Sequence, residues 1–341
     1  MKKKLLCCFC IILTTVLLLG FAQALLQPKY MTVSKEGALI AEYYNEKNPS
    51  HDVLFIGDCE VYESFTPPTL WEEYGITSYI RGSAQQLVWH SYYLLEEMLT
   101  YETPKVVVFN VLALKYGEPQ SEAYNRLNLD GMKLSCSKLR AIEASMTDEE
   151  AFASYLFPLL RFHSRWKELS AEDFRYLFHR DSVSHNGYLM QTEIRGGTSA
   201  ITPVPLTDPS LPATSMEYLE KMRALCEEKG IEFVLIKAPT NDWKYHWYDE
   251  WDAQIQDYAQ KNRVRYYNFI PLCDEIGIDW TTDTYDVGAH LNVYGAEKLT
   301  SYFGEILATE FGLESRKNDA ELSVIWAEKL TAYLAERNPS E

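Results

Sequence analysis

The residues of this chain that are best suited to chemistry lie in two short segments, far apart in the sequence. Cys59 ends a Gly-Asp-Cys motif that directly follows the apolar run "VLFIG". His290 lies in "DTYDVGAHLNVYGAEKLT", just ahead of a helical pattern, and Asp286 stands four residues before it. A thiol that attacks, an imidazole that takes its proton and a carboxylate that orients the imidazole form a set for acyl transfer. The pattern predicts Cys59, His290 and Asp286 as catalytic residues, with Asp283 as the alternative acid.

Three further residues are candidates for contacts with the substrate. Gly82, in "RGSAQQ", ends a second apolar run and precedes a helical pattern, where backbone N–H groups are free to receive an anion. Asn110 closes a third apolar run with a carboxamide donor. Donors that stabilise a developing oxyanion supply a large part of acyl-transfer catalysis. We therefore predict Gly82 and Asn110 as oxyanion or substrate contacts, together with Asp58 beside Cys59.

Short apolar runs alternate with helical patterns over most of the chain. Continuous apolar runs are typical of strands that are covered on both faces. Five predicted strands span residues 53–57, 78–82, 105–111, 232–239 and 265–269. Four predicted helices span residues 83–102, 215–230, 248–262 and 292–312. The alternation predicts a three-layer α/β/α fold with a parallel, flavodoxin-like five-stranded sheet, in which ligands bind at the carboxyl ends of the strands.

Two segments depart from this alternation. Residues 112–214 form a mostly helical insertion that leaves from the carboxyl end of the third strand, so it is predicted either to wall the site or only to pack on the domain. Residues 313–341 are charged with a helical pattern, which predicts a solvated peripheral helix. The predicted organisation is an N-terminal segment at 1–28, an α/β domain at 29–312 that carries the insertion, and a C-terminal helical extension at 313–341.

The N-terminus has the features of a membrane segment. Three lysines at positions 2–4 precede an uncharged run over residues 5–28, and a membrane helix needs about 20 apolar residues. An Ala-Gln-Ala sequence at 22–24 also fits a signal-peptide cleavage site. Both interpretations leave the lysines in the cytoplasm and the body of the protein outside it. The length of the run favours an uncleaved single-pass anchor over a secreted protein.

Composition and motif content restrict the partners. The formal net charge of −17 disfavours nucleic acid and anionic lipid as main partners, because both are polyanions. The four cysteines after residue 28 lack Cys-x-x-Cys spacing, and the sequence has neither a Gly-rich phosphate loop nor a His-x-x-x-His pair. We therefore predict no metal, no other cofactor and no nucleic-acid partner.

Three tryptophans stand out after the fourth predicted strand, in "APTNDWKYHWYDEW". Trp243, Trp247 and Trp251 are four residues apart, which places them on one face of a helix. Such a face either packs on the core or forms a platform on which sugar rings stack.

The order of these motifs resembles the SGNH, or GDSL-type, hydrolase superfamily. The first block of that family is Gly-Asp-Ser after the first strand, and the matching block here ends in Cys59. Gly82 and Asn110 stand where the second and third blocks supply oxyanion contacts, although the usual Gly-x-Asn-Asp is absent around Asn110. The final Asp-x-x-His block often continues as His-Leu-Asn and a Gly-Ala helix start, which "HLNVYGAEK" matches from His290 onwards.

Two departures from the family pattern bear on activity. The resemblance covers roughly residues 50–111 and 230–310, and within it Cys59 replaces the serine nucleophile. A thiol can do the same work, and the replacement equally fits a domain that has lost catalysis. The acid of the family stands three residues before the histidine, where this chain has Val287, so one extra turn residue would have to return Asp286 to the imidazole.

The resemblance implies an exported esterase or O-acyltransferase that acts on acyl groups of cell-envelope carbohydrate through the Cys-His-Asp set. Its substrate would be an acylated carbohydrate or a small ester, and its membrane contact would be the N-terminal segment. Two alternatives stay open. One is a catalytically inactive SGNH-like module that binds envelope glycan or protein partners, and the other is an esterase for lipids or thioesters.

Overall fold

The computed structural model describes residues 2–28, 37–47, 49–197, 208–241 and 248–338. Its centre is one sheet of five strands in the order β2-β1-β3-β4-β5, and every neighbouring pair is parallel. The strands are β1 Val53–Gly57, β2 Ser78–Gly82, β3 Val106–Asn110, β4 Glu232–Lys237 and β5 Arg265–Asn268. This parallel five-stranded sheet confirms the predicted fold class. Most of the strands are continuous apolar runs because both faces of the sheet are covered.

Helices cover both faces of this sheet. They are α1 Lys2–Leu26, α2 Ala38–Glu42, α3 Cys59–Tyr62, α4 Pro67–Tyr74, α5 Val88–Met98, α6 Glu122–Leu129, α7 Cys136–Ser145, α8 Phe152–Leu156, α9 Pro158–Phe162, α10 Ala171–Tyr176, α11 Ala213–Lys229, α12 Tyr248–Asn262, α13 Cys273–Ile276, α14 Val293–Thr309 and α15 Ala320–Arg337. Short 3-10 turns lie at Tyr43–Asn45, Val111–Lys115, His163–Lys167 and Ile270–Leu272.

Alternate residues of the strands pack into two apolar layers, one on each face of the sheet. On β1, Val53 and Phe55 face a core that includes residues of α4 and α14, whereas Leu54 and Ile56 face a core that includes residues of α5, α11 and α12. This is the period of two that a strand imposes on its side chains. The two layers hold the strands in place, and so hold the loops that follow their carboxyl ends.

The insertion after β3 forms its own small core against α5. Its helices α6, α7 and α8 bury Leu129, Ile142 and Tyr155 with Trp89 and Leu94 of α5. The end of the insertion then runs along the domain and hydrogen-bonds to it by its main chain. Of the two predicted possibilities, packing is therefore realised for α6, α7 and α8, and residues 189–195 of the insertion reach the site described below.

The C-terminal helix α15 is largely exposed, as predicted, but two buried aromatic residues also attach it to the domain, which was not predicted. Trp326 is buried and stacks on Trp71 of α4, with ring centroids 5.4 Å apart. Tyr333 is also buried, and its hydroxyl donates to Glu297 Oε1 at 2.7 Å. Charged residues border this aromatic face, because Lys329 lies over the Trp326 ring and Arg337 binds Glu297 beside Tyr333.

Helix α1 is long and apolar enough to cross a membrane, by length and composition. Its apolar side chains up to Phe21 are exposed, and only Leu25 and Leu26 are buried. The last turn contacts the insertion, because Arg165 Nη1 donates to the carbonyl of Leu26 at 2.9 Å. Gln23 Nε2 lies 3.5 Å from the carbonyl of Leu156, so the end of α1 is fixed to the body at two points.

Candidate active site

Cys59 is the first residue of α3, immediately after β1. Asp58 caps this short helix, and its Oδ1 accepts the backbone N–H of Glu60 at 3.2 Å. Glycine is needed at position 57, because a Cβ there would lie 2.5 Å from Val61 Cγ2 and 3.1 Å from Asn110 Cβ. The tight turn thus presents the thiol at the carboxyl edge of the sheet.

The structure brings Cys59, His290 and Asp286 together in one line. The Cys59 Sγ atom lies 3.1 Å from His290 Nε2. On the other side of the ring, His290 Nδ1 lies 2.6 Å from Asp286 Oδ2. A carboxylate can only accept, so Nδ1 carries a hydrogen and Nε2 is left to accept the thiol proton. These three residues, which are separated by up to 231 positions in sequence, have the geometry of a nucleophile, its base and the group that orients the base.

The turn before His290 explains how Asp286 reaches the imidazole although it stands four residues before it and not three. Val287 has φ of +67° and Gly288 has φ of +95°, so both residues lie in the left-handed region. The backbone N–H of Gly288 donates to Thr284 Oγ1 at 2.9 Å, which closes the turn. The extra residue is therefore absorbed in a tight loop, and Asp286 points back at the imidazole.

Asp283, the alternative acid, binds Lys298 and the backbone of Asp279. Its Oδ2 accepts the Nζ of Lys298 at 2.6 Å and the backbone N–H of Asp279 at 2.7 Å. The side chain is almost fully buried. Asp283 fixes the start of the loop against α14, and Asp286 is the acid that the structure places at His290.

Burial and hydrogen bonds have opposite effects on the pKa values of these three residues. Burial raises the pKa of the Cys59 thiol to about 11, and the hydrogen bond with His290 opposes this only in part. Burial alone would lower the pKa of His290, but the hydrogen bonds with Asp286 and Cys59 outweigh it and raise the pKa. The contribution of Cys59 to the raised pKa of His290 requires a thiolate, and burial disfavours the thiolate. When the thiol is neutral, the hydrogen bond with Asp286 still raises the pKa of His290. Burial alone would raise the pKa of Asp286, but the hydrogen bonds that Asp286 accepts from His290 are together the larger effect and lower this pKa.

Glu63 and Tyr285 flank the histidine and were not predicted from the sequence. Glu63 is buried, its Oε2 lies 3.8 Å from His290 Nδ1, and it accepts the hydroxyl of Tyr285 at 2.9 Å. Tyr285 stacks on the His290 ring, with centroids 6.1 Å apart. Burial raises the pKa of Glu63 to about 7, against the opposing charge of His290. The signal that could have found Glu63 is its spacing of four from Cys59, which puts both on one side of a helical turn.

Asn110 and Asp58 belong to a buried polar network below the thiol. Asn110 Nδ2 donates to Asp58 Oδ1 at 3.2 Å and to Glu60 Oε2 at 2.9 Å, and its side chain is fully buried. Both hydrogens of the amide are thereby used, so Asn110 has no donor left for an oxyanion in this structure, contrary to its predicted role. Lys237 Nζ, also fully buried, lies 2.7 Å from both carboxylate oxygens of Glu60 and completes the network.

Gly82 ends β2, beside the strand that leads to Cys59. It pairs with Gly57 across the sheet. A Cβ at Gly82 would lie 2.9 Å from the Gly57 carbonyl oxygen and 3.1 Å from Tyr62 Cδ1. No larger residue would fit here without displacing the turn that presents Cys59.

The last part of the insertion touches both halves of the site. The backbone N–H of Leu189 donates to the carbonyl of Tyr62 at 2.8 Å, and that of Arg195 donates to the carbonyl of Thr284 at 2.9 Å. Val287 N–H in turn donates to the carbonyl of Arg195 at 2.9 Å. This part of the insertion therefore braces the loop that carries Asp286.

The tryptophan stripe is only partly described. Trp251 is buried in the core that includes α12 and β4, which is the packing alternative. Trp243 and Trp247 lie outside the described residues, and their predicted contact with sugars stays a prediction.

Comparisons with known proteins find a family model that matches part of the chain and solved structures of low similarity. A protein-family model matches residues 207–312, less than half of the chain. No curated protein matches the sequence. Among solved structures, the chain is similar to a "putative acylhydrolase" from Bacteroides fragilis NCTC 9343, with 12% identity, a TM-score of 0.39 and coverage of 79% of this chain and 94% of that one. It is also similar to a GDSL-like lipase from Bacteroides thetaiotaomicron VPI-5482, with 12% identity, a TM-score of 0.38 and coverage of 80% and 95%.

Proposed function

We propose that this protein is a membrane-anchored thiol esterase or O-acyltransferase, with Cys59 as nucleophile, His290 as base and Asp286 as the orienting acid. The observation that carries the proposal is the continuous contact from Cys59 Sγ through His290 to Asp286, at 3.1 Å and 2.6 Å. The proposed substrates are acyl esters of cell-envelope carbohydrate, by the resemblance to exported SGNH relatives.

The proposed reaction has two halves. Cys59 Sγ attacks the carbonyl carbon of the ester while His290 Nε2 takes the thiol proton. When the ester C–O bond breaks, His290 returns this proton to the departing alkoxide, and a thioester on Cys59 remains. Water or a sugar hydroxyl then attacks the thioester, again through His290, and Cys59 leaves as the thiol.

The protonation of the site supports a base-assisted mechanism. Since burial raises the pKa of Cys59 to about 11, the thiol does not ionise by itself near neutral pH. It needs a base in contact, and His290 is at hydrogen-bond distance. Asp286 supports this role because its carboxylate stabilises the imidazolium that forms when the thiol proton is transferred.

The oxyanion would be held by the main chain. Asn110 is engaged with two carboxylates, so we assign the oxyanion contacts to the backbone N–H groups of Cys59 and Gly82. Cys59 is the first residue of α3, a position at which the N–H has no partner within the helix. Backbone donors of this kind contribute several kcal/mol to acyl-transfer transition states.

An uncleaved anchor also has structural support. The last turn of α1 is bound to the insertion by Arg165, and Leu25 and Leu26 are buried against the body. Cleavage after residue 24 would leave these two leucines as a new N-terminus and separate them from the helix that positions them.

The decisive experiment is to trap the acyl-enzyme. The full-length protein in detergent is incubated with a small activated ester, and acylated cysteines are identified by mass spectrometry. Cys136 is an exposed thiol outside the site and serves as an internal control for unassisted reaction. We expect Cys59 to be acylated faster than Cys136, although it is less exposed.

Variants decide between an enzyme and a binding module. His290→Ala should slow acylation of Cys59 by about 10²–10⁴-fold and leave Cys136 unchanged, because only Cys59 depends on the base. If Cys59 reacts no faster than Cys136, and His290→Ala has no effect, the enzyme proposal is wrong. Turnover that appears only in Cys59→Ser would instead identify a scaffold whose catalysis has been lost.

A further inference from the structure

Exposed apolar side chains are concentrated in one part of the insertion. Outside α1, eleven large apolar side chains of the described residues are exposed, and five of them fall within residues 157–178. Trp166 is 64% exposed and Phe178 is 88% exposed. Together, these five side chains form what we call the apolar patch: Phe157, Leu160, Trp166, Phe174 and Phe178. A soluble surface seldom exposes so many large apolar side chains in one short segment, and such patches usually mark an interaction site.

The apolar patch adjoins the end of the membrane helix. Helix α1 packs on α9 and on the 3-10 turn that follows it, and these two elements carry Leu160 and Trp166. The hydrogen bond from Arg165 to the carbonyl of Leu26 lies within the same contact. Since Trp166 is the next residue in sequence after Arg165, the patch begins where α1 ends.

The length of α1 sets the height of the patch above the membrane. Its 25 residues span about 37 Å at 1.5 Å per residue, whereas the hydrocarbon core of a bilayer is about 30 Å thick. With the lysines at positions 2–4 at the cytoplasmic boundary, the other boundary falls within the last turn of α1. The body contacts that same turn, so no spacer separates the patch from the lipid headgroups.

The charge of the segment also differs from that of the chain. Residues 157–180 contain five Lys or Arg and three Asp or Glu, a net charge of +2, in a protein with a net charge of −17. Arg161 and Arg175 are about half exposed while they pair with Glu122 and Asp181. Aromatic residues mixed with arginine and lysine are typical of segments that lie in the interface of a membrane.

We propose that the apolar patch inserts into the outer interface of the bilayer that α1 crosses, so that the protein lies on the membrane at a fixed angle. The proposal rests on the uncleaved anchor of the proposed function. The occupant is the lipid bilayer and not a soluble partner, because the elements that carry Leu160 and Trp166 contact the end of α1, where the helix leaves the membrane. Helix α1 and the patch then form two contacts with one membrane, and rotation about α1 is restricted.

Photolabelling from within the lipid tests this inference. The purified full-length protein is placed in nanodiscs of phosphatidylcholine and phosphatidylglycerol that contain a phospholipid with a diazirine on its acyl chain. After illumination, labelled peptides are identified by mass spectrometry. Peptides of α1 report on the anchor, peptides with Leu160, Trp166 or Phe178 report on the patch, and the exposed Val324 of α15 is the control apolar residue.

We expect label on α1 and on the patch, with the Val324 peptide at background. Label on α1 alone would overturn the membrane contact of the patch and leave the anchor intact. Absence of label on α1 would overturn the anchor, and with it the basis of this inference. Protection of the patch in native membranes without lipid labelling in nanodiscs would assign the surface to a membrane protein partner and also overturn the proposal.

Tryptophan fluorescence provides an independent measurement. The difference in emission between the wild type and Trp166→Phe isolates the signal of Trp166. We expect this signal to be quenched in nanodiscs with brominated acyl chains, and Val324→Ser should not change the quenching. If bromination leaves the Trp166 signal unchanged, the side chain does not lie in the membrane interface.

Discussion

The replacement of Asp286 with Asn tests the assigned roles most sharply, because the two carboxylate oxygens have different partners. Oδ1 accepts the backbone N–H of His290 at 2.8 Å and lies 3.3 Å from Thr284 Oγ1. Oδ2 accepts the ring Nδ1 at 2.6 Å. Asn has a single side-chain carbonyl oxygen. This oxygen must accept the backbone N–H of His290, because the backbone N–H is fixed in its direction and can only donate. The NH₂ group then faces Nδ1 and can only donate, so His290 must carry its proton on Nε2 and cannot accept one from Cys59.

The expected loss of rate has two parts. Facing two donors against each other costs about 1–3 kcal/mol, so the productive tautomer falls to roughly 1–20% and the rate falls about 5- to 150-fold. Loss of a hydrogen bond to a charged group removes about 1.5–3 kcal/mol of stabilisation from the imidazolium, a further factor of about 10–150. Asp286→Ala suffers only the second part, because water can accept the Nδ1 proton. Asp286→Asn should therefore be slower than Asp286→Ala, although Asn is closer to Asp in shape.

The assay is the rate at which the thioester on Cys59 forms from an activated ester in a single turnover. Asp279→Asn is the matched control, since Asp279 is an exposed carboxylate of the same loop that accepts from Thr281 and not from His290. This control should retain the rate of the wild type. If Asp286→Asn is no slower than Asp286→Ala, the two-oxygen argument is wrong, and if both react like the wild type, Asp286 does not orient His290.

Three further predictions concern stability, each measured by urea unfolding. Burial raises the pKa of Glu63 to about 7, so the folded protein keeps a proton that the unfolded chain releases above its ordinary pKa, and stability is lost as pH rises through that window. Glu63→Gln should remove a loss of about 2.5 kcal/mol between pH 5 and pH 8, and an equal effect of the variant at both pH values would contradict this. Lys237→Met should destabilise the fold by about 3–5 kcal/mol because it leaves Glu60 buried without its ion pair, and addition of Glu60→Gln should restore much of the loss. Trp326→Ala should cost about 3–5 kcal/mol through loss of its packing on Trp71, whereas a change near zero would mean that α15 is only loosely attached.

The sheet and the positions of the candidate catalytic residues were predictable because both depend on local signals. The first strand was predicted at 53–57, and β1 spans the same residues. Once the strands are parallel, their carboxyl ends must meet at one edge, so Cys59 and Gly82 become neighbours without any further information. The choice of Asp286 over Asp283 followed from spacing alone, because only one extra residue had to be absorbed.

The partners of buried polar groups were not predictable in the same way. Asn110 was correctly placed at the end of its strand, but the sequence does not show that Asp58 and Glu60 would both take its amide hydrogens. Lys237 lies within the predicted apolar strand 232–239, and its charge was given no role. A fully buried lysine requires a buried acid, and this requirement was the unused signal for Glu60.

Packing of the C-terminal helix was missed for a related reason. The segment was judged by its charged residues, which are exposed on any helix that covers a surface. Trp326 and Tyr333 are seven residues apart, two helical turns, and therefore lie on one face. Both are buried, so this short apolar stripe was more informative than the net composition of the segment.

The turn at Val287 is the most strained part of the loop that carries Asp286. A β-branched residue in the left-handed region costs about 1–3 kcal/mol and persists only where the surrounding structure enforces it. Here the backbone carbonyl of Arg195 holds the Val287 N–H at 2.9 Å, and the product of the turn is the 2.6 Å contact between Asp286 and His290. The same histidine also lies 3.1 Å from the Cys59 thiol, so the strained turn holds Asp286 in the position that the proposed mechanism requires.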